Sequence, residues 1–345
     1  MCSGWHTERG GGRRVRAGLH PCRCFAKVRD VPKPARPTFA GVPLRRLAWL
    51  IPAAIVAFAV VVLVARWLRE LPEVAAFIAE YPGGTTPPEG SPVGIPAWLA
   101  WQHFLSAFLL VMLVRTGMLL KSGVRPPAFW TRDNTRWPRT KRPPRRLGIP
   151  LWLHLVVDAL WVLCGLSYIV LLFATGQWVR IVPTDWGIVP NTISALLQYA
   201  SLDWPVEDSW VSYNAAQLLS YFAVVFIAAP LAIITGLRLS PIWPLEGAWS
   251  RVVPERLARA LHYPVMLFFL AFTAVHVFLV LTTGALRNLN IMYAARDSED
   301  WVGFIIFVIS VVAMIGAWLL AKPLVLVPLA ARFGRVQGVR PPQKR

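Results

Sequence analysis

Apolar residues run along this chain in six long blocks, at about 47–68, 96–120, 150–175, 211–237, 260–284 and 302–321. Each is close to the twenty residues that an α-helix needs to cross the hydrocarbon core of a bilayer. Lipid offers no partner to a free peptide N–H or C=O, so every block is predicted to be helical. The expected fold class is an all-α membrane protein with six transmembrane helices. Residues 47–325 form that domain, with helices two to five as a four-helix bundle over 96–284. The stretches outside it, 1–46 and 326–345, have no apolar period; the first reads as a disordered basic arm and the second as a basic tail. The arm is not a signal peptide, because the first apolar run begins only near residue 47.

Composition agrees with this pattern. The 345 residues are 56% hydrophobic and 15% charged, with a mean hydropathy of +0.52, which excludes an ordinary soluble domain. A net charge of +19 is high enough to raise the question of nucleic acid. The distribution answers it. Residues 1–46 hold eleven Lys or Arg, 121–149 nine, 238–259 four, and the stretch after 321 six. The alternate loops, 70–95, 176–210 and 285–301, hold only Arg180, Arg287 and Arg296 against eleven Asp or Glu. An excess of cations on one side of a membrane is the orientation signal of multi-pass proteins, so both termini are expected in the cytoplasm, and no nucleic-acid partner is implied. Trp101, Trp152, Trp178, Trp210 and Trp301 fall near span ends, where aromatic residues anchor at the interface. Cys2, Cys22, Cys24 and Cys164 give no disulfide framework, and His20-Pro-Cys22-Arg-Cys24 lacks the second pair that a zinc site needs.

Six histidines are present, and the four outside the arm, His103, His154, His262 and His276, all lie in spans. An ionisable ring inside lipid is costly and marks a functional site by default. His262 and His276 are fourteen residues apart, which returns to within roughly 40° of one helix face and separates the rings by about 21 Å along the axis. With the orientation above, His103 and His276 lie at one depth towards the outer surface, and His154 and His262 at another towards the inner. Paired imidazoles on facing helices are what a six-coordinate haem iron takes as axial ligands. Taken singly, each ring also reads as a packing residue or a member of a proton relay.

The stretch from span two to span five resembles the di-haem b-type cytochrome subunits of bacterial formate dehydrogenases and nickel-iron hydrogenases. The resemblance rests on His103 followed by Arg115-Thr116-Gly117 in span two, His154 in span three, Ile234-Thr235-Gly236-Leu237 closing span four, and His262 and His276 in span five. It implies a haem-binding bundle with two b-type haems, one ligated by His103 and His276 and the other by His154 and His262. It also implies a bacterial inner-membrane electron-transfer subunit, with quinone as reactant and a docked molybdopterin or metal-centre dehydrogenase as partner. The chain departs from the family by one additional span at each end of the core, and the leading one turns the core over in the membrane.

Other polar residues in the spans have two readings each. Asp158 follows His154 by four residues and so shares its helix face; it is a proton acceptor near a quinone or a partner that orients a ligand, or it makes a structural hydrogen bond to a neighbouring helix. Arg115 is assigned to a haem propionate, with snorkelling to the interface as the alternative. Asn214 and Gln217 bridge helices or line a quinone pocket. Pro230 is expected to kink span four, and Pro264 to fall in the first turn of span five. Asp185, Asp203, Glu207 and Asp208 are a docking surface on the outer loops or ordinary solvated charge. The chain has no nucleotide-binding fingerprint and no iron-sulfur ligand set, so substrate chemistry is expected in the partner. The rival reading is a haem-free proton-coupled transporter with His154, Asp158 and His262 as its relay; a third is a haem-free anchor subunit.

Overall fold

The computed structural model describes residues 38–39, 42–135, 139, 143–205, 208–241, 243 and 252–338. The arm up to residue 37, with His6, His20, Cys2, Cys22 and Cys24, lies outside the described residues, as do Glu207 and the last seven residues of the tail. The chain divides into two compact units, residues 1–57 and 58–345. In the first, strands β1 (Thr38–Phe39) and β2 (Val42–Pro43) pair antiparallel and lead into helix α1 (Leu44–Arg69).

The second unit continues α1 and adds α2 (Pro72–Glu80), α3 (Ala97–Lys121), α4 (Ile149–Ala174), α5 (Ile188–Ala200) and α6 (Ala215–Leu239). It then runs through α7 (Glu255–Thr282), α8 (Ala285–Leu289), α9 (Val302–Leu320) and α10 (Pro323–Ala331). Six of these helices, α1, α3, α4, α6, α7 and α9, are long and apolar enough to cross a membrane. The protein is therefore an all-α multi-pass membrane protein. Leu160, Leu163, Leu166 and Val170 are exposed along one side of α4, which suits contact with lipid tails rather than water.

Two sides can be told apart by charge. On the acidic side, loops between spans fold into a cap. Arg180 is buried there and donates to the carbonyls of Gly94 (3.1 Å), Ser209 (3.3 Å) and Trp210 (2.7 Å), while Gly94 N–H donates to Trp210 (2.9 Å). Burial alone pushes the Arg180 guanidinium below its ordinary pKa, and Tyr213 and Asp208 act against that shift. Five hydrogen-bond donors in a rigid fork suit arginine to stapling three loop segments at once. Arg66 and Arg69 at the end of α1 are held by the Ser201 carbonyl (3.0 Å), the Ser201 hydroxyl (2.6 Å) and Asp203 (2.5 Å).

On the basic side, what the sequence presents as a loop and a tail is a small sheet. Strands β3 (Ala128–Arg132), β4 (Arg146–Gly148) and β5 (Gly334–Gly338) pair antiparallel in the order β4-β3-β5, with Trp130 opposite both Leu147 and Val336. The tail is thus tied back to the bundle, with Leu326 and Ala330 of α10 packed in one cluster with Leu109, Trp152 and Val157.

Two prolines sit differently from one another. The turns of α6 just before Pro230 widen into π geometry over Ala223–Ala228. A ring without an N–H removes one backbone bond and crowds the preceding carbonyl, and a wider turn absorbs both effects. Pro264 is not in the first turn of its helix. Helix α7 begins at Glu255, so the proline lies in its interior, where a membrane helix tolerates it.

Gly94 has φ +87, and a Cβ built on it would lie 2.7 Å from Trp210 Cζ2. Gly94→Ala should therefore cost about 1–3 kcal/mol. A thermal melt in detergent checks this; a melting temperature equal to that of the native protein would contradict the packing of the cap.

Candidate functional site

Helix α7 presents His262, Val265, Met266, Phe269, Phe272 and His276 to the interior, a stripe at three- and four-residue spacing. The two histidines therefore share a face, at two levels of the bundle about 21 Å apart. The neighbouring helices match this spacing. On α6, Tyr221 and Thr235 are fourteen residues apart; on α3, so are His103 and Gly117.

At the level nearer the acidic side, His103 and His276 meet with ring centroids 6.2 Å apart and planes at 61°. His276 is stacked on Phe272 (5.7 Å, 3°) and met edge-on by Tyr221 (6.0 Å), and His103 is met edge-on by Tyr293 (5.7 Å). The Nδ1 atom of His103 is buried and has no hydrogen-bond partner among the described residues. Tyr293 lies in a wide turn, Asn290–Ala294, beyond the span, and burial pushes its phenol above the ordinary pKa, so it stays a neutral donor.

At the level nearer the basic side, each histidine meets a threonine from an adjacent helix. Thr116 Oγ1 of α3 is 2.7 Å from His154 Nδ1, and Thr235 Oγ1 of α6 is 3.0 Å from His262 Nδ1. The glycine that follows each threonine leaves room for the ring. A Cβ on Gly117 would lie 3.7 Å from His154 Cε1 and 3.8 Å from Met266 Sδ, and one on Gly236 would lie 3.3 Å from His262 Cε1. His262 is within electrostatic reach of both His154 and Asp158. Asp158 Oδ2 is 3.6 Å from His154 Nε2, beyond hydrogen-bond length.

All four histidines and Asp158 are thus brought to the bundle interior in two groups. Arg115 is not. One position before Thr116, it turns about 100° away around the helix. Its guanidinium donates to the Ala321 carbonyl (2.7 Å) and stands over Trp318 (5.1 Å), at the junction of α9 and α10. Arg115 is held at that junction through one nitrogen, while its Nε is buried without a partner among the described residues. Asn214 and Gln217 are likewise held: each side chain bonds the other's backbone N–H, a capping box that starts α6, and Asn214 also reaches Tyr199 Oη (2.6 Å). Of the acidic-side carboxylates, Asp203 pairs with Arg69 and Asp208 with Arg287 (2.8 Å), so both are held within the chain.

Among the described residues, no group of three or more His, Cys, Asp or Glu gathers in a way that would hold a metal ion by itself. No protein-family model matches the chain, and neither a curated protein nor a solved structure shows significant similarity to it.

The Thr-Gly pairs are the part of the site to which sequence reasoning assigned no role. Their signal is visible in hindsight: the same dipeptide near the basic-side end of two spans, each span followed by a helix with a histidine close to its start. The two glycines differ in a testable way. Gly117→Ala meets only ordinary contacts and should leave stability unchanged or slightly raised. Gly236→Ala places its methyl against His262 and should lose about 1 kcal/mol or more by overpacking. Equal melting temperatures for the two variants would contradict the closer fit at Gly236.

Proposed function

We propose that this protein is a di-haem cytochrome b-type electron carrier of a bacterial plasma membrane, with both termini in the cytoplasm. It moves electrons between the quinone pool and a redox enzyme, a molybdopterin or metal-centre dehydrogenase, docked on the acidic side. The observation that carries this reading is the pair His103 and His276. Two imidazoles bound to one metal from opposite sides at about 2 Å each have centroids about 6 Å apart, close to the 6.2 Å separation found. The Nδ1 of His103 is buried with no partner among the described residues, so no hydrogen bond there explains the ring as a packing residue.

The haems, when bound, supply the one-electron chemistry. The chain's residues do the rest. His103 and His276 hold one haem, and His154 and His262 the other. Phe272, Tyr221 and Tyr293 wall the first pair against water. Gly117 and Gly236 keep side chains out of the second. Two sites about 21 Å apart on the same helices form a route for electrons across the membrane.

One observation favours a second reading. His154 and Asp158 approach within 3.6 Å on one helix face, as two members of a proton relay in a haem-free transporter would. Haem counted per chain in single variants separates the two. His276→Ala and His103→Ala should each remove the same one of two haems, and His154→Ala and His262→Ala the other, halving haem content in every case. Asp158→Asn should retain both. Haem content unchanged by all four histidine variants would overturn the electron-carrier reading.

A further inference from the structure

Each of the two threonines carries a single hydroxyl proton, and both protons are already committed. Thr116 Oγ1 lies 2.9 Å from the Met112 carbonyl and 3.1 Å from that of Leu113; Thr235 Oγ1 lies 2.7 Å from Leu231 and 3.2 Å from Ala232. These are the back-bonds of a buried threonine to the preceding helical turn. A carbonyl can only accept, so the hydroxyl proton points there. What remains on each oxygen is lone pairs. His154 Nδ1 and His262 Nδ1 face those lone pairs at 2.7 and 3.0 Å. Two acceptors do not bond one another, so each Nδ1 carries the hydrogen and donates it. A neutral imidazole protonated at Nδ1 has an unprotonated Nε2.

We propose that Thr116 and Thr235 are positioning residues that fix His154 and His262 as Nδ1–H tautomers and leave Nε2 of each ring as a free ligating nitrogen. The tautomer is inferred from the crowding of acceptors around each hydroxyl; the identity of what Nε2 binds rests on the haem reading above. The surroundings of His154 agree with a cation at that atom. His154 Nε2 lies 3.6 Å from the Asp158 carboxylate, so a cation bound at that nitrogen would be attracted by both. A ligand histidine that donates its other N–H is also the stronger donor to its metal. His103 lacks this support, since its Nδ1 has no partner among the described residues and aromatic side chains meet the ring. On the haem reading, the basic-side haem would have the more negative midpoint potential.

Selective 15N-histidine labelling of the full-length protein in bilayers, reduced with dithionite, reads the tautomer by solid-state NMR whether or not haem is present. The expected result is a proton on Nδ1 of His154 and His262. In protein prepared without haem, Thr116→Val and Thr235→Val should each remove that signature from the facing histidine only, and Thr116→Ser and Thr235→Ser should keep it. A proton on Nε2, or on both nitrogens, in the native protein would overturn the proposal, and this result needs no variant to fold. If the protein binds no haem, the electron-carrier reading fails while the NMR result still decides the tautomer. With haem bound, a potentiometric titration should show the more negative midpoint moving positive in either valine variant, the other staying fixed. Two unmoved midpoints would overturn the role of the threonines in tuning the site.

Discussion

An imidazole inside the hydrocarbon layer is costly wherever a ring nitrogen goes unpartnered, because neither lipid nor an apolar helix face supplies a partner. This chain sets four such rings, each half-buried, in its spans, and the bundle is shaped around holding them. Helix α7 carries two on one face, α3 and α4 bring one each, and α6 brings Tyr221 against one ring of α7 and Thr235 against the other. Remove that need and the matched spacings of α3, α6 and α7 have no evident purpose.

The two levels meet the need differently. Near the basic side, threonine hydroxyls from α3 and α6 take one nitrogen of each ring, and glycines one residue further on admit the ring edge. The pairs α3–α4 and α6–α7 repeat this device, a local likeness that the surrounding sequence does not announce. Near the acidic side, aromatic faces and edges replace hydrogen bonds. On the proposed reading, that contrast gives two redox centres in one bundle different surroundings, which is what a directional electron route needs.

Much of this was legible in the sequence where the physics is one-dimensional. Span positions follow from apolar length alone, and the observed helices begin and end within about five residues of the expected ones. The shared face of His262 and His276 follows from helical pitch. What was not legible depends on the direction of a side chain or on long-range pairing. Arg115 and Thr116 are adjacent, yet only one faces the histidines. Asn214 and Gln217 look like span residues until the helix is seen to start between them, at Ala215. The β3-β4-β5 sheet joins segments two hundred residues apart through strands of three to five residues, too short to give a period. The helices α2 and α5 fall in stretches that read only as loops, because short amphipathic helices in a cap are weak against the signal of the spans.

The central claim is that these histidine pairs are axial ligands, and a reduced-minus-oxidised absorption spectrum of the purified protein tests it most directly, with haem quantified per chain. The account predicts two low-spin b-type haems per chain. A protein free of haem after expression with ample haem supply would contradict it.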